Sequence, residues 1–128
     1  MSSKTIKGYD LNERLIDFAV RIINLCNVLP KNRSCIHISG QLLRSGTAPA
    51  PNYAEAQDAE SRDDFIHKLK IALKELRETD VWLKLIIRAE LIKPVDKLTP
   101  LSNECNELIS IFVKSIKTAR KCSKYLNS

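Results

Sequence analysis

The stretch Gln41–Leu83, QLLRSGTAPAPNYAEAQDAESRDDFIHKLKIALKELRETDVWL, decides the fold, because it joins a helix-breaking hinge to a strongly amphipathic helix. Its second half opens with Ser61 as a helix cap. Asp63 and Asp64 follow in the first turn, where the helix dipole favours negative charge. Phe65, Leu69, Ala72, Leu76, Thr79, Leu83 and Ile86 then recur in alternating four- and three-residue steps. Ile66, Leu73 and Ile87 widen that stripe beyond a two-stranded seam, so several neighbours must pack on it. Trp82 lies to the side of the seam and reads equally as a docking residue or as a peripheral core residue of one subunit.

The first half of the stretch holds Pro49 and Pro51. Each lacks an amide donor and pushes its predecessor out of the α region, so the reading breaks the helix there. Asn52 is expected to cap a restarted helix, with the Glu55 carboxylate reaching back to the Asn52 amide.

Working outward, Asp10 and Glu13 form an acidic capping box for a helix carrying Leu11, Leu15, Phe18, Ile22, Leu25, Cys26 and Leu29, ended by Pro30. Asn32 or Ser34 caps a second helix carrying Ile36, Leu42 and Leu43, weakened by Gly40 in its interior. The last helix starts at Thr99 with Pro100 in its first turn and continues through Leu101, Cys105, Leu108, Phe112, Ile116, Ala119 and Leu126. The expected helices span about 10–29, 34–47 continuing after the proline hinge at 53–60, 62–91 and 100–126.

One chain of 128 residues has room for one helical core, and an aromatic content of 5% with three glycines favours helices over sheet. Short links between amphipathic helices predict an all-α, antiparallel up-and-down four-helix bundle in a single domain. No apolar run is long enough for a membrane span, and the N-terminus lacks the apolar core of a secretory signal, so a cytoplasmic protein with no membrane partner is expected. Cys26, Cys35, Cys105 and Cys122 form no CxxC pair, which favours reduced, structural thiols over a metal or redox site.

Gln41, Leu42, Leu43, Arg44, Ser45 and Gly46, followed by Asn52, Tyr53, Ala54 and Glu55, resemble the hinge of a small four-helix-bundle family. Its members were first noticed as reading frames inside intervening sequences of bacterial 23S ribosomal RNA genes, and are labelled S23 ribosomal protein. Phe65, Leu69, Ile71, Ala72, Leu73, Leu76, Glu78 and Trp82 extend the match, and the resemblance runs from about Tyr9 to Tyr125. It implies a homopentamer with a central channel. The family is also similar to the accessory variability protein of diversity-generating retroelements, a pentameric basic bundle that associates with a reverse transcriptase and with nucleic acid. Arg44, Asn52 and Glu55 are the hinge residues that this resemblance marks.

Enzyme chemistry finds little support in the residues. Only Asp64-x-x-His67 approaches half of a di-iron motif, and P-loop, nucleophile-elbow and HExxH patterns are missing. No catalytic residue, metal or cofactor is expected. The net charge of +6 points instead to polyanions. Residues 55–92 hold nine acids and seven bases, whereas 93–128 hold seven bases and three acids. Lys114, Lys117, Lys121 and Lys124 share the face of the last helix opposite Phe112, with Arg120 on their flank. Arg14 and Arg21 are expected to extend that stripe on the first helix. A solvated, solubilising face is the competing reading. The function expected is therefore a non-enzymatic oligomeric accessory protein that holds RNA or DNA by phosphate contacts, within a ribonucleoprotein. The alternative is a protein-interaction scaffold.

Overall fold

The computed structural model of the chain describes residues 10–127, with side chains described through Cys122. Its helices are α1 (Leu11–Val28), α2 (Arg33–Thr47), α3 (Pro49–Gln57), α4 (Arg62–Arg88) and α5 (Thr99–Asn127), with one 3-10 turn, Val95–Leu98, leading into α5. No strand occurs among the described residues. A single residue, Ala48, separates α2 from α3, so the five segments make four arms of one bundle. Around that bundle α1 packs on α2, the α2–α3 arm on α4, α4 on α5, and α5 back on α1. The outer face of the α1–α2 pair and that of the α4–α5 pair therefore lie on opposite sides of the molecule.

Helix starts follow the caps written in the chain. Asp10 accepts from the Asn12 amide at 3.0 Å, and Ser61 from the Asp64 amide at 3.0 Å. Of the two candidates before α2, Asn32 is the cap; it accepts the Cys35 amide at 3.0 Å and the Ser34 hydroxyl at 3.2 Å. Leu29 is extended ahead of Pro30, as the proline ring demands. Helix α4 ends three residues short of the expected boundary, at Arg88 rather than 91. There the Leu91 amide donates to the Ile86 carbonyl (3.0 Å) and the Glu90 amide to the Ile87 carbonyl (3.1 Å), with Glu90 at φ 52°. This is a Schellman cap carried by glutamate where glycine is usual, so no glycine marks it in the sequence.

The proline hinge differs most from expectation. Ala48 stays in the α region although a proline follows it, and α3 begins at Pro49 instead of at 53. Pro49 sits where a missing amide costs least, at the first position of the new segment. Asn52 is consequently an interior residue and not the cap: its side-chain Nδ2 and its backbone amide both donate to the Ala48 carbonyl, at 3.0 and 3.2 Å. Glu55 does not reach back to Asn52; it accepts an ion pair from Lys68 on α4 at 3.1 Å. The junction is thus pinned by Asn52 and by one bridge to the next arm.

The core matches the periodic positions closely. Leu15, Phe18, Ile22, Leu25 and Cys26 from α1, Leu29 just past its end, and Leu101, Cys105, Leu108, Phe112, Ile116 and Ala119 from α5, are buried. Leu69, Ala72, Leu76, Thr79, Leu83 and Ile86 of α4 are at most 0% exposed, the expected seam less its first member, Phe65, which is half-buried. Helix α2 departs from the reading. Leu42 is buried, but Ile36 and Leu43 are 58% and 40% exposed, and the inward positions go to Cys35, Ser45 and Gly46. Small residues there let α2 approach α1: a Cβ at Gly46 would stand 2.8 Å from both Cγ atoms of Ile22.

Candidate nucleic-acid interface

The outer groove between α4 and α5 is lined by Lys70, Leu73 and Arg77 from one helix and Val113, Ile116, Lys117 and Arg120 from the other. Helical spacing puts Lys70 and Arg77, seven residues apart, on one exposed edge of α4, while the antiparallel α5 brings Lys117 and Arg120 against them. Lys121 is exposed on the ridge of α5 beside this groove, whereas Lys114, also exposed, lines the far flank of that ridge, with Arg62 and Thr118 on one side of it and Glu107 and Ile111 on another. None of Lys70, Arg77, Lys114, Lys117, Arg120 and Lys121 is in an ion pair with another described residue. The floor is aliphatic and the walls are cationic, an arrangement suited to phosphates. The side chain of Lys124 lies outside the described residues.

Lys70 and Arg77 were invisible to a reading by segment charge, since residues 55–92 are acidic in sum. The acids of α4 are turned elsewhere. Glu75 and Glu78 both hold Arg44 of α2, away from the groove, and Asp80, which lies on the α5 side near Cys105, is paired with Lys84 at 3.0 Å, so the cations that line the groove keep no acid partner among the described residues. Resolving charge by helix face would have found the groove; the segment total concealed it.

Two expected members of the surface do not join it. Arg14 is held by Glu104 through Nε (2.7 Å) and Nη2 (2.8 Å), and by Glu107 at 2.8 Å. These hydrogen bonds hold its guanidinium proton more tightly than usual, against the opposing effect of partial burial, and its charge is spent within the bundle. Arg21 is exposed but sits with Lys97, Leu98 and Leu101 at the other end of the molecule. At 1.5 Å per residue along α5, that is about 20 Å from Lys114.

Arg44 and Trp82 have structural partners. Arg44 bonds Gln41 besides Glu75 and Glu78, and Glu78 Oε2 also accepts the Trp82 indole N–H at 3.0 Å. Trp82 packs on the core, and His37 meets its ring edge-on at a centroid distance of 6.1 Å. The hinge residue Arg44 thereby fastens α2 to α4, and Trp82 serves the subunit's own packing. Burial pushes the Cys105 thiol up to about 12, helped by Asp80 and Glu104, and burial raises Cys26 against the pull of Lys31. Such thiols are unreactive. His67 is exposed, and no group of three His, Cys, Asp or Glu able to hold a metal ion occurs among the described residues.

The family model for the 23S rRNA-intervening sequence protein matches residues 8–114. The chain belongs to that family. It is also similar to a protein of unknown function from the S23 ribosomal protein family of Bacteroides thetaiotaomicron. The two are 41% identical, the match covers 84% of this chain and 99% of that one, and the TM-score is 0.78. No curated protein matches the chain. For this 23S rRNA-intervening sequence family member the matched residues include the α2–α3 arm, the Arg44–Glu78–Trp82 contact and the α4 edge of the groove. They end at Lys114, so Lys117, Arg120 and Lys121 lie beyond the family match. No described helix is long and apolar enough to cross a membrane.

Proposed function

We propose that this protein is a non-enzymatic, cytoplasmic accessory protein that binds RNA or DNA by its phosphates, as part of a ribonucleoprotein. The observation that carries the reading is the groove in which Lys70 and Arg77 face Lys117 and Arg120 with no described acid paired to them. Phosphate contacts of this kind give affinity and little sequence readout, which fits the absence of amide or aromatic side chains from the groove lining. Membership in a family named for 23S rRNA intervening sequences favours a polynucleotide partner over an acidic protein. A reverse transcriptase is the protein partner suggested by likeness to the retroelement accessory protein.

Self-assembly belongs to the same reading, with five copies the number suggested by family resemblance. Its support in the molecule is an apolar face on the α1–α2 pair. Ile16, Val20 and Ile23 fall on one side of α1 at four- and three-residue steps, and Ile36 and Leu43 on one side of α2; all five are at least 40% exposed. The same face supports the second reading, a scaffold that docks another protein and has no nucleic-acid role.

Salt decides between them. Labelled RNA should bind at low salt and weaken about a thousandfold or more between 50 and 200 mM when six or more phosphates are engaged. Lys117→Glu with Lys121→Glu and Lys124→Glu should abolish binding while the helical circular-dichroism spectrum is kept. Unchanged affinity in that variant would sink the nucleic-acid assignment and leave the scaffold.

A further inference from the structure

We propose that the α4–α5 groove takes double-stranded nucleic acid, by both of its phosphate backbones, in preference to a single strand; this rests on the nucleic-acid reading above and narrows its ligand. The cations stand in two rows. Lys70 and Arg77 form one on α4, about 10 Å apart along the helix at 1.5 Å per residue. Lys117, with the exposed Lys121 one turn further along, forms the other on α5, and Arg120 stands between the rows. Packed helices set these rows about 8–10 Å apart before side-chain reach is added. A duplex presents two backbones flanking a groove and can meet both rows at once. A single strand meets one row, or must wind between them.

The lining also lacks what a single strand requires. Proteins that hold single strands recover the lost base stacking on aromatic side chains. Here the groove floor is Leu73, Val113 and Ile116, all aliphatic. Of the described rings, Phe18 and Phe112 are fully buried and Tyr53 is half-buried against Phe112. Trp82 is committed to Glu78 and His37 on the α2 side of the bundle, and Phe65, half-buried against the core, opens with Arg62 and Lys114 on the far flank of the α5 ridge and not into this groove. A base splayed from a single strand finds no ring among the described residues that line this groove, whereas a duplex arrives with its bases already stacked. Charge density acts in the same direction. A duplex carries one charge per about 1.7 Å of axis against one per about 3.4 Å on each strand, and each phosphate neutralised contributes about 0.9 to the salt slope on a duplex and about 0.7 on a single strand.

The test uses the full chain and four labelled probes of equal length: duplex RNA, duplex DNA, and unstructured single strands of each. Anisotropy titrations across a salt series should give duplex affinities at least about tenfold above those of the single strands, with the steeper salt slope on the duplexes. Reversing one row, by Lys70→Glu with Arg77→Glu, should cost the duplexes more than the single strands. Equal or tighter binding of a single strand overturns the duplex assignment and leaves the phosphate-binding reading standing. Failure of all four probes at low salt overturns both. Comparing the two duplexes then separates an A-form from a B-form ligand.

Discussion

Ser45 on α2 and Thr79 on α4 share a 2.9 Å hydrogen bond between fully buried hydroxyls, in a seam where every other wholly buried α4 side chain is apolar. Thr79 is also 2.8 Å from the Glu75 carbonyl. With one proton to give, Thr79 serves that carbonyl and leaves Ser45 to donate to Thr79. Thr79→Val strands the Ser45 hydroxyl and should cost about 1–3 kcal/mol in urea unfolding. Ser45→Ala leaves Thr79 with its carbonyl and should cost less. The double variant should recover part of the Thr79→Val loss, and strict additivity would show that the two hydroxyls are uncoupled.

The two glycines of α2 should respond to alanine with opposite signs. At Gly46 the added Cβ meets both Cγ atoms of Ile22 at 2.8 Å, so Gly46→Ala should destabilise by about 1–3 kcal/mol through overpacking. Combining it with Ile22→Ala should cost less than the sum of the two single changes. At Gly40 nothing lies within 4 Å, and Gly40→Ala should stabilise by about 0.5–1 kcal/mol. Thermal unfolding of the variants reads all of these.

Arg14 separates stability from binding. Arg14→Gln leaves Glu104, 18% exposed, without its charge partner and should cost about 1.5–3 kcal/mol. Its affinity for RNA should be unchanged, because that guanidinium was never available to a phosphate. Lys117→Glu with Arg120→Glu should do the reverse, losing RNA affinity and keeping the unfolding midpoint. Equal binding losses from the two variants would place Arg14 in the interface after all.

Thiol chemistry should follow burial. Cys122 is exposed while Cys26, Cys35 and Cys105 are buried, so iodoacetamide should label Cys122 rapidly and the others only on unfolding. Because burial lifts Cys105 from 9.0 to about 12 in the folded chain, the unfolded chain loses this proton first as pH rises. The stability contribution is whole below pH 9 and declines from there towards 12. Cys105→Ala should flatten that alkaline limb, a change that denaturant titrations between pH 8 and 11 would detect.

The apolar α1–α2 face predicts the particle's mass. Ile16→Lys with Ile36→Lys should reduce an assembly to single chains in light scattering and leave the helical signal intact, since both positions are at least 46% exposed. An assembly indifferent to these charges closes through some other face.

Much of the fold could be read from periodicity. The α1, α4 and α5 core positions follow three- and four-residue spacings because each helix buries one broad stripe. Asp10, Asn32 and Ser61 act locally, and local signals survive folding unchanged. Where tertiary contacts decide, the reading failed. Pro49 and Pro51 read as a break, yet Asn52 bonding to Ala48 and the Lys68–Glu55 bridge hold the arm nearly continuous. Ile36 and Leu43 look like core by composition and face outward, because close approach to Ile22 selects Gly46 instead. Half of the basic groove was missed for a related reason: Glu75 and Glu78 cancel Lys70 and Arg77 in a count along the chain but not in space.

The α1–α2 face and the α4–α5 groove occupy opposite sides of one narrow bundle. Copies joined through the first must turn the second towards solvent, so each subunit added to a particle supplies one more outward-facing site and hides none. Such a particle is multivalent by construction. If the groove binds a polyanion as proposed, occupying one site would hold the neighbouring sites at high local concentration along the same polymer, and a free site would capture a second polymer. Long chains of phosphates would then be gathered and crosslinked into condensed bodies, with turbidity that depends on polymer length as well as on salt.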